Sequence, residues 1–476
     1  MTVLERSSVL SKETALVILA RGKADLKKYG VTGEQAVFVK NAFALERKVI
    51  PFRCGGQFVI VVAKPLKSDK NQLKELIRRA GACLVTLFND EKVDSITIAD
   101  SDDNTDHLMA FAEGILLGNY QFLTYKVKDK AKESNALRRV ILYSKGVKEQ
   151  GLERLRILTE ATAIARDLVN EPVSTLNAVE LSRQFQRLGK EAGFRVEVLN
   201  KAKITALKMG GLLGVNKGSS TPPTFTVMEY KPARPRNKKP IVLVGKGVVY
   251  DTGGYNLKTG AGMETMKCDM AGAAAVGATL WAIAKAKLPV HVIGLVPATD
   301  NKIGGDAYVA GDVLTMYNGL TVEMLNTDAE GRLILADALA YGEQYNPEII
   351  LEFSTLTGAA MAAIGHYGIV CMGTVDARTK TKLRNSGDQV HERLAEFPFW
   401  DEYDELLKSD VAELKNIGGP MGGAITAGKF LANFVKSPFM HFDIAGPAFL
   451  TAKDGYRPKG GTGVGVRLLF DYLSNY

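Results

Sequence analysis

Short apolar stretches alternate with stretches of helical periodicity along most of the chain. In the N-terminal third, buried strands are predicted at residues 15–20, 58–63 and 95–99, and helices at residues 69–83 and 107–117. A strand that is apolar throughout is typical of a sheet covered on both faces. This part of the chain is therefore predicted to form a small α/β domain.

The same alternation continues after a longer helical stretch. Residues 151–169 repeat apolar side chains every three to four positions, and Asn170-Glu171-Pro172 follows them, so we predict one long helix here. An Asn-Gly turn at residues 318–319 predicts a hairpin. Six further apolar segments are predicted strands: residues 195–199, 224–228, 241–244, 290–297, 348–353 and 369–372. Helices between them indicate a mostly parallel sheet with helices on both faces.

Chain length supports two domains of the α/β class. A chain of 476 residues is long for a single hydrophobic core. We predict a small N-terminal α/β domain at residues 1–149, a linking helix at residues 150–172, and a larger α/β domain at residues 173–476, which would carry the chemistry.

Composition and sequence patterns limit the cellular compartments in which we expect this protein. Hydrophobic residues make up 46% of the chain and charged residues 24%, which is typical of soluble globular proteins. The first residues lack a signal-peptide pattern, and no apolar run is long and uninterrupted enough to span a bilayer. Four cysteines show no regular spacing, so free thiols are expected. We therefore expect a cytoplasmic protein without a membrane partner.

The net charge of +9 leaves one interaction open. Basic side chains concentrate at residues 126–132 and 231–240. Neither segment has interleaved aromatic residues or a known nucleic-acid-binding motif, so we interpret both as solvated loops. Nucleic-acid binding remains the alternative that the charge permits.

The segment Asn326–Arg332 carries the first candidate chemistry. It lies between an apolar, alternating segment and a helix-periodic one, so it is predicted to be a turn from strand to helix. In extended backbone, the spacing of Asp328 and Glu330 directs both side chains to one side, and Arg332 repeats that offset. The alternative is that the two acids cap the following helix and that Arg332 pairs with one of them.

A second segment brings further charged residues to the same kind of position. Lys246 and Asp251 follow the predicted buried strand 241–244, and Lys258 and Asp269 come next, with Asp269 at the start of an alanine-rich helix. Ligands of open α/β sheets bind at the edge where strands end and helices begin. The glycines of this segment match neither GxxxxGK[ST] nor GxGxxG, which argues against a phosphate loop.

Carboxylates gathered at one edge need compensating charge. Four of them cannot remain ionised together in a buried site without cations. A pair of divalent metal ions bridged by carboxylates meets that need. None of the five histidines has the spacing of an HExxH zinc site. The sequence therefore predicts a dinuclear site built mainly from oxygen ligands.

Several motifs together resemble one known family. They are Asn326-Thr-Asp-Ala-Glu-Gly-Arg-Leu333, Gly245-Lys-Gly247 with Tyr250-Asp-Thr-Gly-Gly254, Met266-Lys-Cys-Asp-Met-Ala-Gly-Ala273, Ser354-Thr-Leu-Thr-Gly-Ala359 and His441-Phe-Asp-Ile-Ala-Gly446. In these motifs, and over roughly residues 150–476, the chain resembles the leucyl aminopeptidases of the M17 metallopeptidase family.

The resemblance implies roles for the charged residues. The expected metal ligands are Lys246, Asp251, Asp269, Asp328 and Glu330, and the expected cofactors are two divalent ions, Zn²⁺ and/or Mn²⁺, with bicarbonate. A lysine ligand must be neutral, and two adjacent dications would lower its pKa. Lys258 would stay protonated and stabilise an oxyanion, and Arg332 would hold the bicarbonate that moves a proton.

The resemblance also implies the substrate and the assembly. Peptides with an N-terminal leucine-like residue would be hydrolysed by a water activated by the metals. The expected substrate-binding residues are Met266, Asn326, Thr355, Leu356, Gly358 and Ala445, with Ala448 as a further candidate. A homohexamer is expected, and the N-terminal domain would serve assembly and access to the site.

Two other functions stay open on the sequence alone. One is a non-catalytic or DNA-binding relative that retains the metal site. The other is a metal-dependent hydrolase of a different bond. All seven charged positions of the proposed site carry the residue types that the family chemistry needs, which favours the aminopeptidase.

Overall fold

The computed structural model describes residues 2–22 and 24–476 and divides the chain into two compact units. One unit runs to Glu160 and includes Ala452–Pro458, and the other comprises Ala161–Thr451 and Lys459–Tyr476. The division falls inside a helix that spans Glu149–Asn170. The domain boundaries at residues 149 and 172, and the roles assigned to the domains, stay predictions.

The N-terminal unit is built around a six-stranded sheet. Its strands are β1 (Val3–Ser7), β2 (Ala15–Ala20), β3 (Val49–Cys54), β4 (Gln57–Ala63), β5 (Ser95–Asp100) and β6 (Arg139–Tyr143), and its helices are α1 (Gly33–Ala44), α2 (Lys70–Asp90), α3 (Thr105–Gly118) and α4 (Lys130–Glu133). The strand order is β1-β6-β5-β2-β4-β3, and every pair except β3–β4 is parallel. The three predicted strands and two predicted helices of this region are present. Edge strands β1 and β3 escaped the prediction because they bury few of their side chains.

The larger unit contains most of the remaining elements. Helix α5 (Glu149–Asn170) leads into it. Its strands are β7 (Arg195–Leu199), β8 (Thr224–Tyr230), β9 (Ile241–Gly245), β10 (Gly247–Asp251), β11 (Val292–Asn301), β12 (Val313–Thr315), β13 (Thr321–Glu323), β14 (Ile349–Ser354), β15 (Ile369–Gly373), β16 (Leu394–Glu396), β17 (Leu414–Lys415), β18 (Phe439–Asp443), β19 (Phe449–Leu450) and β20 (Gly460–Gly461). Its helices are α6 (Ala178–Ala192), α7 (Lys201–Ala206), α8 (Gly210–Asn216), α9 (Ala271–Lys285), α10 (Gly331–Gly342), α11 (Gly358–Ile364), α12 (Ala377–Val390), α13 (Gly423–Ala432) and α14 (Val466–Ser474).

The central sheet has the order β16-β15-β18-β14-β9-β11-β8-β7, with β10 beside β11. Its middle strands β18, β14, β9 and β11 run parallel, while β7, β8 and β15 pair in antiparallel fashion with their neighbours. The predicted α/β fold with a mostly parallel sheet is confirmed. The Asn-Gly turn also forms the expected hairpin, which joins β12 to β13.

Two helices bring the candidate site residues against this sheet. Helix α9 is buried along nearly its whole length, because its alanines and glycines let its backbone approach the strands closely. A side chain at Gly272 would collide with the carbonyl group of Phe353 in β14. Helix α10 is buried in the same way, and both helices begin at the edge where β9, β10 and β14 end.

No helix in the described part of the chain combines the length and the apolar character that crossing a membrane requires.

A buried ion pair lies inside the sheet. Glu352 of β14 and His441 of β18 are paired in register, and the Glu352 carboxylate contacts Nδ1 of the imidazole. Burial disfavours a charged imidazole, but the Glu352 carboxylate outweighs it, so the pKa of His441 lies above its usual range. Asp443 adds to this effect and Arg332 opposes it. The pair therefore places a charged histidine in the core.

We predict a pH-dependent contribution of this pair to stability. Replacing His441 with Asn leaves Glu352 buried without its cation, so the free energy of unfolding should fall by about 3–5 kcal/mol at mildly acidic pH. The raised folded-state pKa means that the contribution is complete below the ordinary histidine pKa of about 6.5 and is lost as pH rises through the folded-state pKa. Urea unfolding should therefore show that the difference in unfolding free energy between wild type and H441N is largest below about pH 6.5 and narrows as the pH rises above it. A gap that stays constant over this range would contradict the assignment.

Candidate metal centre

Two lysines each bridge two carboxylates at the sheet edge. Lys246, which follows β9, places Nζ 2.7 Å from Asp269 Oδ2 and 2.8 Å from Glu330 Oε1. Lys258 places Nζ 2.8 Å from Asp251 Oδ2 and 2.5 Å from Asp328 Oδ1. The structure thus brings together all six of these predicted residues from segments that are far apart in sequence.

The carboxylates also converge on one another. Oxygen atoms of Asp251, Asp328 and Glu330 lie within 4.8 Å of one another. Apart from the lysines, one oxygen on each of Asp269, Asp328 and Glu330 accepts no hydrogen bond from the described residues, although these oxygens are buried. Each of these oxygens is instead ion-paired with Nζ of Lys246 or Lys258, so the compensation of these buried acceptors rests on two ammonium groups.

The electrostatics of the lysines follow from this crowding. Burial by itself would lower the pKa of Lys246, but Asp269, Glu330 and Asp251 outweigh it and raise the pKa above its usual range. The pKa of Lys258 is raised in the same way by Asp251 and Asp328 against the effect of burial. Each lysine is therefore an ammonium group that is ion-paired with two carboxylates. The neutral amine expected from the resemblance requires bound metal ions.

The pKa values of the carboxylates shift in opposite directions. Burial is the largest effect on Asp251 and raises its pKa to about 7, with the neighbouring Glu330 carboxylate adding to it. Burial also raises the pKa of Asp269. For Glu330, the ammonium group of Lys246 outweighs burial and lowers the pKa. One cation cannot compensate two buried acids equally, so the cluster lacks positive charge.

Two glycines make the approach of these side chains sterically feasible. A Cβ atom at Gly331 would lie 2.5 Å from Cε of Lys246 and 2.6 Å from its Nζ. Gly253 has a φ angle of +85°, and a Cβ atom there would lie 3.1 Å from Oδ1 of Asp328. Larger residues at either position would push the ligand-bearing segments apart.

Thr327 ties the two ligand-bearing segments together, a role that the sequence did not reveal. Its hydroxyl donates to the Gly253 carbonyl at 2.5 Å and accepts from the Asn256 backbone at 2.7 Å. Its own N–H donates to Oδ1 of Asn256 at 2.8 Å. Thr327 is fully buried, so these bonds hold the loop of Asp251 and Lys258 against the turn of Asp328 and Glu330.

Asn301 orients one of the ligands in a similar manner. Its amide nitrogen donates to Oδ1 of Asp251 at 2.8 Å and to the Thr327 carbonyl at 2.9 Å. Gly253 donates to the same carboxylate oxygen, so Asp251 is held from two sides. The Tyr308 hydroxyl donates to the Thr327 carbonyl at 3.0 Å. Asn301 lies four residues beyond the strand predicted at residues 290–297, and no sequence pattern singled it out, because β11 extends to Asn301 only in the folded structure.

Arg332 is buried and is the second residue of α10. Its Nη1 atom donates to the Asn416 carbonyl at 2.7 Å, while its buried Nε donates no hydrogen bond to the described residues. Burial lowers the pKa of Arg332 to about 10, and Glu330 and Asp443 oppose this shift. The side chain of Asn416 accepts from the Leu325 backbone and donates to the Asn326 carbonyl, so it fixes the signature turn as well.

The predicted substrate-binding residues fall into two groups. Thr355 contacts the centre directly, because its hydroxyl donates to Oδ1 of Asp269 at 2.7 Å and its carbonyl accepts from Nζ of Lys246 at 3.1 Å. Leu356 and Ala445 lie on the adjoining loops, which Asp443 joins, and Gly358 is the first residue of α11.

Two further residues of the predicted set have other surroundings. Met266 begins the 3₁₀ turn that carries Asp269. Asn326 accepts a hydrogen bond from the Asp328 backbone at 2.8 Å and so shapes the signature turn. Neighbouring Cys268 is not a candidate nucleophile, because burial raises the pKa of its thiol to about 12.

This donor set fits divalent cations. Carboxylate oxygens suit Mg²⁺, Mn²⁺ and Zn²⁺, and sites with two ions use bridging carboxylates. The cluster is acidic, buried and short of positive charge, and its hydrogen-bond acceptors are only partly used. Lys246, Asp251, Asp269, Asp328 and Glu330 could therefore hold metal ions.

Sequence models of one family match the chain in two places. The model described as the cytosol aminopeptidase family, catalytic domain, matches residues 163–470. The N-terminal domain of the same family matches residues 69–129. The second match extends the resemblance into a region where the sequence patterns alone indicated only an α/β domain.

Individual relatives agree with the family match. A probable cytosol aminopeptidase of Chlorobaculum parvum is 51% identical over 334 residues, which are 70% of this chain and 66% of that protein, just under two thirds of its length. A second protein of that name, from Chlorobium limicola, is 41% identical over 90% of this chain and 89% of its own length. Among solved structures, the bottromycin maturation enzyme BotP in complex with Mn is 29% identical, with a TM-score of 0.84 over 97% of this chain and 99% of that one.

The role of Asn301 can be tested through metal affinity. Asn301→Ala removes the hydrogen bond that orients Asp251, so the affinity of chelator-stripped protein for Mn²⁺ should fall by about 10- to 100-fold in titration calorimetry. Asn237→Ala is a matched control, because Asn237 is also buried and donates to two carbonyl groups, those of Lys239 and His291. Equal affinities in N301A and wild type would contradict this role.

Proposed function

The chain belongs to the cytosol aminopeptidase family, a family of metal-dependent peptidases, and on this premise we propose that it removes the N-terminal residue from peptides with two divalent metal ions, Zn²⁺ and/or Mn²⁺. The observation that carries the proposal is the convergence of Asp251, Asp328 and Glu330 within 4.8 Å, with Asp269 and two lysines beside them. If these acids only capped the N-termini of helices, there would be no reason for so many carboxylates to lie together at one buried point.

The metal ions would be held by Lys246, Asp251, Asp269, Asp328 and Glu330. When bound, divalent ions acidify a water molecule and polarise the scissile carbonyl group. Asp251 and Glu330 come from different segments, so they are the natural bridging ligands. Asp328 is the most exposed of the four acids, which supports its assignment to the more exchangeable position.

Lys258 would act on the substrate rather than on the metal ions. Its pKa is raised and its side chain is partly exposed, so it carries an ammonium group toward the open side of the site. This ammonium group is ion-paired with Asp251 and Asp328, and it would donate to the carbonyl oxygen of the substrate as negative charge develops there.

Arg332 would hold the bicarbonate that the family resemblance implies for transfer of a proton. Its buried Nε has no hydrogen-bond acceptor among the described residues, which supports a small anion as its partner. Asn416 fixes the guanidinium through its carbonyl group. The position of Arg332 two residues after Glu330 keeps this anion next to the metal ligands.

Selectivity for an N-terminal residue would follow from the shape of the site. The free α-amine would bind beside the metal ligands, and the first side chain would lie along Met266, Thr355, Leu356, Gly358 and Ala445. A Cβ atom at Gly358 meets no other atom within 4 Å, so space for a substrate side chain exists there. We propose that leucine-like residues suit this space.

The remaining expectations rest on the resemblance and on the names of the relatives. They are a homohexameric assembly, a cytoplasmic location, and a role for the N-terminal domain in assembly and access. Nucleic-acid binding stays a weaker proposal, because it is supported only by the net charge of +9.

We predict metal-dependent hydrolysis of leucine p-nitroanilide. Chelator-treated protein should lose the activity, and Mn²⁺ or Zn²⁺ should restore it, because the carboxylates bind the ions that activate water. N-acetylated substrate should stay intact, since its amine cannot bind the site. Hydrolysis of neither substrate with any metal would favour a non-catalytic relative, and hydrolysis of both would favour another hydrolase.

We also predict a catalytic defect in the Lys258→Met variant. Loss of the ammonium group should lower kcat by about 100- to 1,000-fold, because charge on the carbonyl oxygen is no longer stabilised. Lys302→Met is a matched control, since Lys302 pairs with Asp300, outside the proposed ligand set. A K258M variant with normal kcat would remove Lys258 from the mechanism.

A further inference from the structure

Asp443 joins two loops that lie far apart in sequence. It is the last residue of β18, it is buried, and it is in register with Ser354 of β14. Its Oδ1 atom accepts from the backbone N–H groups of Leu356 at 3.2 Å and Ala445 at 3.1 Å. Its Oδ2 atom accepts from the Thr357 hydroxyl at 2.6 Å. A single carboxylate thus receives three donors.

The first of these loops also contacts the metal centre. Thr355 bonds to Asp269 through its hydroxyl and to Lys246 through its carbonyl group. The next two residues of the loop bond to Asp443. Residues 355–357 are therefore fixed on one side by proposed metal ligands and on the other side by Asp443.

Helix α11 is held at both ends by the same arrangement. The Thr357 hydroxyl accepts from the Ala360 backbone at 3.0 Å and so caps the helix while it donates to Asp443. At the other end, a side chain at Gly446 would collide with the Gly365 carbonyl. This short helix thus takes its position from the loop that follows β18.

An ordinary turn at the end of β18 would not require all three hydrogen bonds to Asp443. The bond from Ala445 to Asp443 is a common local turn between residues i and i+2. The bonds from Leu356 and Thr357 span 87 and 86 residues and link two separate parts of the proposed substrate pocket. Asp443 touches neither lysine of the centre, so it is not placed as a metal ligand.

We propose that Asp443 is a positioning residue that sets the width of the pocket for the first, apolar side chain of the substrate. It does so by holding the loop of Leu356 and Gly358 and the loop of Ala445 at a constant separation. This inference rests on the proposed aminopeptidase function. It predicts that loss of the contacts changes selectivity among N-terminal residues and leaves metal affinity unchanged.

The sharpest test uses Thr357, because valine matches threonine in shape but lacks its hydroxyl. The ratio of kcat/KM for leucine p-nitroanilide to that for alanine p-nitroanilide should fall by about tenfold in Thr357→Val, since a loosened wall discriminates side-chain size less well. Asp443→Asn should lower the ratio in the same direction. Thr357→Ser retains the hydroxyl and should keep the wild-type ratio.

Controls separate this effect from a general loss of structure. Asp376→Asn makes the same chemical change at the cap of α12, where Asp376 accepts from the Thr379 backbone, and it should leave the ratio unchanged. Mn²⁺ affinity, measured by calorimetry on chelator-stripped protein, should be equal in T357V and wild type. Hydrogen exchange should show reduced protection of the Leu356 and Ala360 amides in T357V and wild-type protection in T357S.

The outcomes distinguish the two proposals. An unchanged selectivity ratio, or unchanged amide protection, in active T357V and D443N would overturn the role of Asp443 while the aminopeptidase function stands. A loss of Mn²⁺ affinity equal to the loss of activity would also overturn it. A wild-type protein that hydrolyses neither substrate would overturn the proposed function and the pocket together.

Discussion

The larger unit is organised around one constraint, which is that four carboxylates lie close together at one buried edge of its sheet. Charged groups in a poorly solvated environment need partners of opposite charge, and Lys246 and Lys258 supply two. The imbalance that remains is visible in the raised pKa of Asp251, about 7, and in carboxylate oxygens without further donors. Divalent cations are the partners that such a cluster fits, which is why its chemistry and its stability are linked.

The surrounding structure keeps these charges from separating. Thr327 and Asn256 join the two ligand-bearing segments, Asn301 orients Asp251, and Asn416 holds Arg332. Gly331 leaves the space into which Lys246 extends. Each of these residues is neutral, and each acts on a charged side chain of the site or on the backbone that carries one. A site with such support is rigid enough for the positions of its ligands to be set before any ion binds.

Burial also affects a second group of charged residues, which lies next to the proposed metal centre. His441, Glu352, Asp443 and Arg332 influence one another electrostatically within the core. Asp443 connects this group to the loops of the proposed pocket through three hydrogen bonds. Buried charged residues thus extend from the proposed metal ligands to the loops of the proposed pocket. A substitution at one of these core residues can therefore alter substrate selectivity without changing a proposed metal ligand.

Periodicity and motifs determined much of this protein before any coordinates. The buried strands β2 and β9 are apolar throughout, and β4 is apolar after its first residue, so local sequence alone located them. The eight-residue signature identified the family that the matches confirm. The charged residues of the proposed site were also recognisable, because two separate segments place them where strands end and helices begin, the edge at which open α/β sheets bind ligands. Only the tertiary structure decided their mutual distances, the pairing of each lysine with two acids, and the roles of Thr327, Asn301, Asn416 and Asp443. Those residues act through hydrogen bonds between segments distant in the chain, and no local pattern records which donor will meet which acceptor.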